Sequence, residues 1–331
     1  MSNPTMRDIG KVVGISAVTV SKALAGKPGV SEKMRQKIIQ VAQEMNYVSP
    51  AASKENAHLD VGILIPESYF STDSFYSMLY KLLVRCLQDA GHYGILEMLD
   101  ESFEENLILP NLIRNSRVDA LIILGEPSKD YLRAVCKQTI PIVFLDFYDE
   151  QASADSIVGD NVYGCYRLTS HLIKSGHTDI GFVGSIRSTS SIMDRYLGYY
   201  KAMLSHNLSI REDCIIQDRI NHKVAPTFVL PQKLPTAFVC NCDLVAKRLM
   251  HQLAAAGIRV PEDVSVVGFD DYSEDELIEP SLSTFCIDTE AMAQAAVKTV
   301  QDRVSGTATK VSRMVITGSP IYRNSSTSIN K

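Results

Sequence analysis

The chain has 331 residues, with 33 Lys/Arg against 38 Asp/Glu, a net charge of −5, and 45% apolar content. That length accommodates a small domain plus one or two larger ones with real cores. The acidic balance excludes nucleic-acid binding over the whole surface. The charge is uneven, however. Residues 1–60 carry eight Lys/Arg against five Asp/Glu, a net of +3, which leaves −8 for residues 61–331. A basic head on an acidic body suits DNA contact through the head alone. Arg7, Asp8 and Lys11 interrupt any secretory h-region, and no stretch is apolar for long enough to span a bilayer, so the chain is expected in the cytoplasm. Seven dispersed cysteines read as reduced thiols, and Cys240 and Cys242 lack a second pair at zinc spacing.

In chain order, Thr5 is placed to cap a short helix with Ile9 and Val13 inward, and Gly14 to end it in the left-handed region. Ser16 is placed to cap a second helix with Val20, Ala23 and Leu24 on one face. Two short helices joined by a glycine turn read as a helix-turn-helix, whose second helix enters the DNA major groove. Ser31 opens a third helix with Met34, Ile38, Val41, Ala42 and Met45 inward. These three helices fill a head of residues 1–48. Residues 49–60, SPAASKENAHLD, read as a hinge or linker, with Pro50 at a possible first helical position.

From Val61 the pattern alternates apolar strands and helices. The strand runs are VGILI (61–65), GILEM (94–98), ALIIL (120–124), IVFLD (142–146), IGFVG (180–184), TAFVC (236–240) and VSVVGF (264–269). The first intervening helix spans 75–90, with Phe75, Leu79, Leu82, Leu83, Cys86 and Leu87 inward. Continuous apolar strands between helices imply α/β architecture with parallel sheets covered on both faces. The count suits two doubly wound lobes with a crevice at the carboxyl ends of the strands. No G-x-G-x-x-G follows the first strand, and no phosphate-loop, HExxH or G-x-S-x-G motif occurs, so neither a cofactor nor catalysis is expected. In Asp270–Asp271, one carboxylate is expected to bind ligand and the other to cap a helix.

DIGKVVGISAVTVSKAL and GVSEKMRQKIIQVAQEMNY in the head, followed by VGDNVYG, HLIKSGHTDIGFVG, DRYLGY, VPEDVSVVGFDD and EPSLSTF in order, closely resemble the lac-repressor and purine-repressor family of bacterial transcription regulators. The resemblance implies a homodimer whose two heads read an operator, and a core like periplasmic sugar-binding proteins. It implies chain crossings near 159–162, 285–289 and 317–320. The N-terminal lobe would then be 61–160 with 289–317, and the C-terminal lobe 161–288 with 318–331. DNA contact is implied for Thr5, Ser16, Ala17, Val18, Thr19, Ser21 and Lys22, and in the hinge for Lys54 and Asn56. Effector contact is implied for Phe75, Tyr76, Asp160, Arg195, Cys242 and Asp270, with Asp243 as a helix cap beside the pocket. Two departures stand out. Asn56 occupies the place of a leucine that wedges into the minor groove, and Pro226 and Pro231 interrupt the helix expected near 222–234. The expected function is a DNA-binding regulator, most often a repressor, controlled by a small polar, sugar-like effector. The alternative is a solute-binding protein or sugar-active enzyme with the same core.

Overall fold

The computed structural model describes residues 5–24, 29–45, 47, 58–70, 75–220, 223–272 and 280–329. The chain divides into two compact units, Met1–His58 and Leu59–Lys331. Lys54, Asn56 and most of the expected hinge lie outside the described residues.

The first unit holds three helices, α1 (Met6–Val13), α2 (Ala17–Leu24) and α3 (Glu32–Glu44). Thr5 and Asp8 form a capping box: Thr5 Oγ1 accepts from Asp8 N at 3.4 Å, and Asp8 Oδ2 accepts from Thr5 N at 3.0 Å. Gly14 ends α1 with φ +78°, the conformation a glycine adopts without penalty. The carbonyl of Gly10 then accepts both Gly14 N and Ile15 N at 2.9 Å. A Cβ on Gly10 would stand 2.7 Å from Ile15 O, so the tight turn requires glycine there. Ile9, Val20, Ala23, Ile38 and Ala42 are buried at the centre of the three helices. Each of the larger ones contributes about 1.5–3 kcal/mol by leaving water.

The second unit is built on two parallel sheets. Its strands and helices begin with β1 (Asp60–Pro66), α4 (Phe75–Asp89), β2 (Tyr93–Leu99), the short α5 (Glu101–Glu105) and α6 (Asn111–Arg114), β3 (Ala120–Leu124), α7 (Lys129–Val135), β4 (Ile142–Leu145) and β5 (Asp155–Gly159). They continue with α8 (Asn161–Lys174), β6 (Ile180–Val183), α9 (Ser190–Ser205), β7 (Ile215–Ile216), β8 (Arg219–Ile220), β9 (Lys223–Val224), β10 (Ala237–Cys240), α10 (Asp243–Ala255) and β11 (Ser265–Val267). The last are β12 (Thr284–Ile287), α11 (Thr289–Val304), β13 (Arg313–Ile316) and β14 (Gly318–Ile321).

The larger sheet has the order β13-β5-β4-β3-β1-β2 and the smaller β11-β10-β6-β7, with parallel pairing throughout. β12 and β14 form an antiparallel ribbon, Thr284 opposite Ile321. Strands β1, β3 and β4 are buried along their length because helices cover both faces. GILEM was expected to be equally buried, but β2 is the sheet edge and only Leu99 is fully enclosed. β13 joins the larger sheet late in the sequence, in register with β5 (Val315 opposite Val158). It is clamped by Asp155, which accepts from Arg303 and from Ser312 N at 2.8 Å.

No helix forms within the described part of 223–236. That segment is pinned to α10 instead: Arg248 Nη1 donates to the carbonyls of Val224 (2.7 Å) and Ala225 (2.9 Å), and Gln252 brackets Phe228 N and O. Among the described residues no helix is long and apolar enough to cross a membrane.

Candidate functional site

Doubly wound sheets leave a crevice outside the carboxyl ends of their strands. A cavity of about 280 Å³ lies there in the second unit. The segment after β1 supplies Tyr69, the start of α4 supplies Phe75 and Tyr76, and the residue after β4 is Asp146. The second sheet supplies Arg195 from α9, Arg219 from β8, Asn241 and Cys242 after β10, and Asp270 beyond β11.

Arg195 is the centre of the site. Its Nε donates to Asn161 Oδ1 at 2.8 Å and its Nη1 to Asn241 O at 2.6 Å. Nη2 lies 3.0 Å from Asp270 Oδ1, and Cζ sits 4.1 Å over the Phe269 ring. Arg195 was expected to spend its fork on a ligand; much of it is spent on the protein, in orienting Asp270.

The two strand-end aspartates share unusual features. Asp146 has φ +72° and Asp270 φ +110°, conformations that non-glycine residues rarely hold and that cluster at functional sites. Both are buried. Asp146 Oδ2 accepts from the Tyr76 hydroxyl at 2.9 Å, while its Oδ1 has no hydrogen-bond partner among the described residues. Asp270 Oδ1 is in ion-pair range of Arg195 but makes no aligned hydrogen bond. Burial pushes the Asp146 carboxyl up, against the pull of Arg195 and Tyr76. Burial pushes Asp270 up to about 7, opposed by Arg195 and reinforced by Asp146. Two acidic groups with open acceptor positions, beside a buried guanidinium, suit a ligand that brings hydroxyl donors.

An aromatic wall completes this part. The Tyr69 and Tyr76 rings are 5.1 Å apart, and Phe75 meets Tyr76 edge-on at 5.4 Å. Phe75 does double duty, since it also belongs to the main hydrophobic core. Two further contacts join segments of the first sheet to α9 of the second. Glu126 Oε2 accepts from Ser190 N (2.7 Å) and Ser190 Oγ (2.8 Å), and Tyr148 OH donates to Asp194 Oδ1 (3.0 Å).

Of the expected effector contacts, Phe75, Tyr76, Arg195, Cys242 and Asp270 line the cavity. Asp160 does not. It caps α8, which begins at the next residue, and its Oδ1 turns to Tyr163 N at 3.3 Å. The N-cap of α10 is Cys242 rather than Asp243. Asp243 instead accepts from Thr284 Oγ1 (2.7 Å) and Tyr272 N (3.0 Å), tying the cavity floor together. Asp271 receives Arg323 Nη2 at 2.7 Å in place of its expected helix-capping role. Tyr69, Asp146, Asn241 and Arg219 were missed. Asp146 carried a usable signal, an acidic residue ending the apolar run IVFLD.

In the first unit, the expected DNA face is sorted by exposure. Val18 is 66% exposed, Ser21 and Lys22 are exposed, and Ala17 and Thr19 are half-buried against buried Val20 and Ala23. Ser16 Oγ accepts from Thr19 N at 3.2 Å and lies 2.9 Å from Thr19 Oγ1. The Thr5 and Ser16 hydroxyls are thus helix caps as they stand, and both side chains remain at the surface.

Residues 5–49 match the model for bacterial regulatory proteins of the lacI family, and residues 169–326 that for a periplasmic binding protein-like domain. The HTH-type transcriptional repressor PurR of Vibrio campbellii is 27% identical over 85% of this chain and 86% of its own. PurR of Actinobacillus pleuropneumoniae is 26% identical over 99% of both. Among solved structures, the transcriptional regulator CelR in complex with cellobiose is similar at a TM-score of 0.70, with 23% identity over 97% of this chain and 99% of its own. The lac repressor dimer bound to operator and the anti-inducer ONPF is similar at 0.66, with 22% identity over 98% and 100%. A regulator from Enterococcus faecium with bound ribose is similar at 0.70, with 24% identity over 82% and 100%.

A helix-turn-helix unit joined to a two-sheet ligand-binding core defines a DNA-binding regulator. Residues 5–49 match the lacI family of bacterial regulatory proteins, and nearly the whole chain is similar to repressors of that kind.

Proposed function

We propose that this chain represses transcription by binding an operator through its first unit, and that a small polar effector in the cavity of the second unit sets its affinity. The observation that carries this reading is the pair of strained, buried aspartates, Asp146 and Asp270, flanking Arg195 in a cavity of monosaccharide scale. Sugars present the hydroxyl donors those acceptors lack. The relatives support it: one is a complex with cellobiose, another holds ribose, and a third is a dimer on its operator. The working species is a homodimer, with one head per half-operator.

Residues 61–160 with 289–317 and residues 161–288 with 318–331 act as two lobes. Effector binding changes their closure, and the coupling to operator affinity is about 1–3 kcal/mol, or roughly 5–150-fold. Val18 and Ala17 read thymine methyls, and Lys22 favours guanine. Lys54 and Asn56 touch the minor groove without a sharp kink, because Asn gains little apolar burial to offset unstacking.

The test is a thermal-shift screen of the full chain against sugars and sugar derivatives, followed by operator gel shifts with each compound that stabilises it. A stabilising compound that changes operator affinity supports the proposal. Turnover of that compound without any change in operator affinity would instead favour the sugar-active enzyme.

A further inference from the structure

The part of the cavity formed by α10 has a chemistry of its own. Cys242, the N-cap, makes no side-chain capping bond, and a thiol is a weak acceptor in any case. Asp243, the first helical residue, turns its carboxylate to Thr284 and Tyr272. The start of this 13-residue helix lines the cavity with no hydroxyl or carboxylate cap, and Asp243 N donates to the Phe269 carbonyl at 2.9 Å. Leu244, Lys247 and Arg248 all line the cavity, and their spacing of three and four residues puts them on one helix face. Arg219 from β8 joins them, with the carboxylate of buried Asp218 3.6 Å from its Nε. Arg248 donates to two backbone carbonyls and has no ion pair among the described residues, so no carboxylate offsets its charge. A helix start and three cationic side chains around one space form an anion site.

A second observation points to the rest of the ligand. Asp146 is 3% exposed and lines the same cavity, and its Oδ1 has no partner among the described residues. A bare anion cannot satisfy it, because that oxygen calls for a hydroxyl.

We infer that the ligand of this cavity is a small polyhydroxylated anion, a sugar carrying a phosphate or a carboxylate, with its hydroxyls on Asp146 and Asp270 and its anionic group at the start of α10 among Arg219, Lys247 and Arg248. The inference rests on the reading above that the cavity binds the effector. The cavity, about 280 Å³, is just below the about 300–1,000 Å³ usual for ligand pockets, which restricts the ligand to a small one. The electrostatics agree as well. Burial raises the carboxyls of Asp270 and Asp243, which lessens the negative charge facing Arg219, Lys247 and Arg248.

The test is titration calorimetry on the full chain with glucose, galactose and mannose, their 6-phosphates, their uronic acids, and inorganic phosphate. An anionic sugar is expected to bind at least about tenfold more tightly than its neutral parent, with rising salt eroding the difference. Comparing the 6-phosphates with the uronic acids identifies the anionic group. Lys247→Gln and Arg248→Gln should each weaken anionic sugars several-fold while leaving neutral parents unmoved. Lys247 is partly exposed, so that variant reads the site even if loss of Arg248 loosens the 223–230 segment. Asp146→Asn should weaken every sugar and leave inorganic phosphate unmoved. Neutral sugars binding as tightly as anionic ones overturns the inference, as does phosphate alone binding as tightly as the sugar phosphates, or no anionic sugar binding at all. Operator gel shifts separate the two readings. A neutral sugar that alters operator affinity at lower concentration than its anionic derivatives sinks the anion site and keeps the regulator, whereas an anionic sugar that binds without altering operator affinity does the reverse.

Discussion

Arg195 Nη2 lies 3.0 Å from Asp270 Oδ1, and both side chains are almost sealed from solvent, at 5% and 8% exposure. The guanidinium also ties Asn161 on α8 to the Asn241 carbonyl beyond β10. Removing one partner of such a buried pair leaves an uncompensated charge, at a cost of about 3–5 kcal/mol. Arg195→Ala is therefore expected to lose stability as well as effector binding, and urea denaturation should show a fall of that size. Asp270→Asn keeps the shape and can still accept from Arg195. It should fold, bind operator and lose its effector response. A fully stable Arg195→Ala protein would show that the pair contributes little to the fold.

Asp270 also sets an expectation for pH. Its folded-state pKa is raised to about 7 by burial, Arg195 pulling down and Asp146 pushing up, from an ordinary value near 3.8. A raised carboxyl pKa means that the folded state binds the proton more tightly than the unfolded chain does. Its stabilising effect is complete below about pH 4 and is lost as pH rises through about 7. Two histidines of the same unit run the other way: burial lowers His171 and His177, so their effect is lost as pH falls. The measurement is the difference in unfolding free energy between the native chain and Asp270→Asn across pH 5–8, which cancels the histidines. That difference should move against the native chain as pH rises, and a flat line would remove Asp270 from the titration.

Most of the framework was legible because its signals are local. Thr5, Gly14 and Ser16 announce the turn through capping chemistry, and apolar runs such as ALIIL announce buried strands through continuity. Edge position is a property of the whole sheet, so GILEM could not reveal that β2 is half-exposed. The site was legible where a motif carried it, as for Arg195 and Asp270. Asp160 sits in a motif too, but α8 starting at the next residue claims its carboxylate. The cationic group reflects where β8 and α10 meet in space, since Arg219 is 28 residues from Lys247 in sequence, and no local pattern marks it.

In the head, Lys22 is exposed on α2 while Gly10 is buried in α1, against the turn. Lys22→Ala should cost about 1–3 kcal/mol on the cognate operator and relax base preference at one position per half-site. An equal loss on random DNA would make Lys22 a phosphate contact. Gly10→Ala acts differently. Its Cβ would meet Ile15 O at 2.7 Å, so the turn must open, at a cost of about 1–3 kcal/mol for an overpacked site. All DNA binding should fall together with head helicity by circular dichroism.

Glu126 and Ser190 provide the last expectation. Glu126 follows β3 of the larger sheet, and Ser190 opens α9 beside the smaller one, so the two hydrogen bonds between them span the sheets. The carboxylate also meets the positive end of a 16-residue helix. A hydrogen bond to a charged group contributes about 1.5–3 kcal/mol, which in this place favours the approach of the two sheets over their separation. Burial already raises Glu126, although the Ser190 bonds oppose the shift, so the contact weakens as the carboxyl takes a proton in mild acid. If effector binding draws the sheets together, Glu126→Ala, which removes both bonds, should weaken effector affinity by about tenfold or more, the population-shift equivalent of losing at least one such bond. Ser190→Ala removes only the hydroxyl donor and keeps the amide, so its effect should be smaller. Because both changes act on one contact, the double variant should be no weaker than Glu126→Ala alone, whereas independent sites would add within about 0.5 kcal/mol. Calorimetric affinities for the four proteins of this cycle decide the matter. Simple additivity would mean that Glu126 and Ser190 act separately and that the contact between the sheets is not what holds the effector.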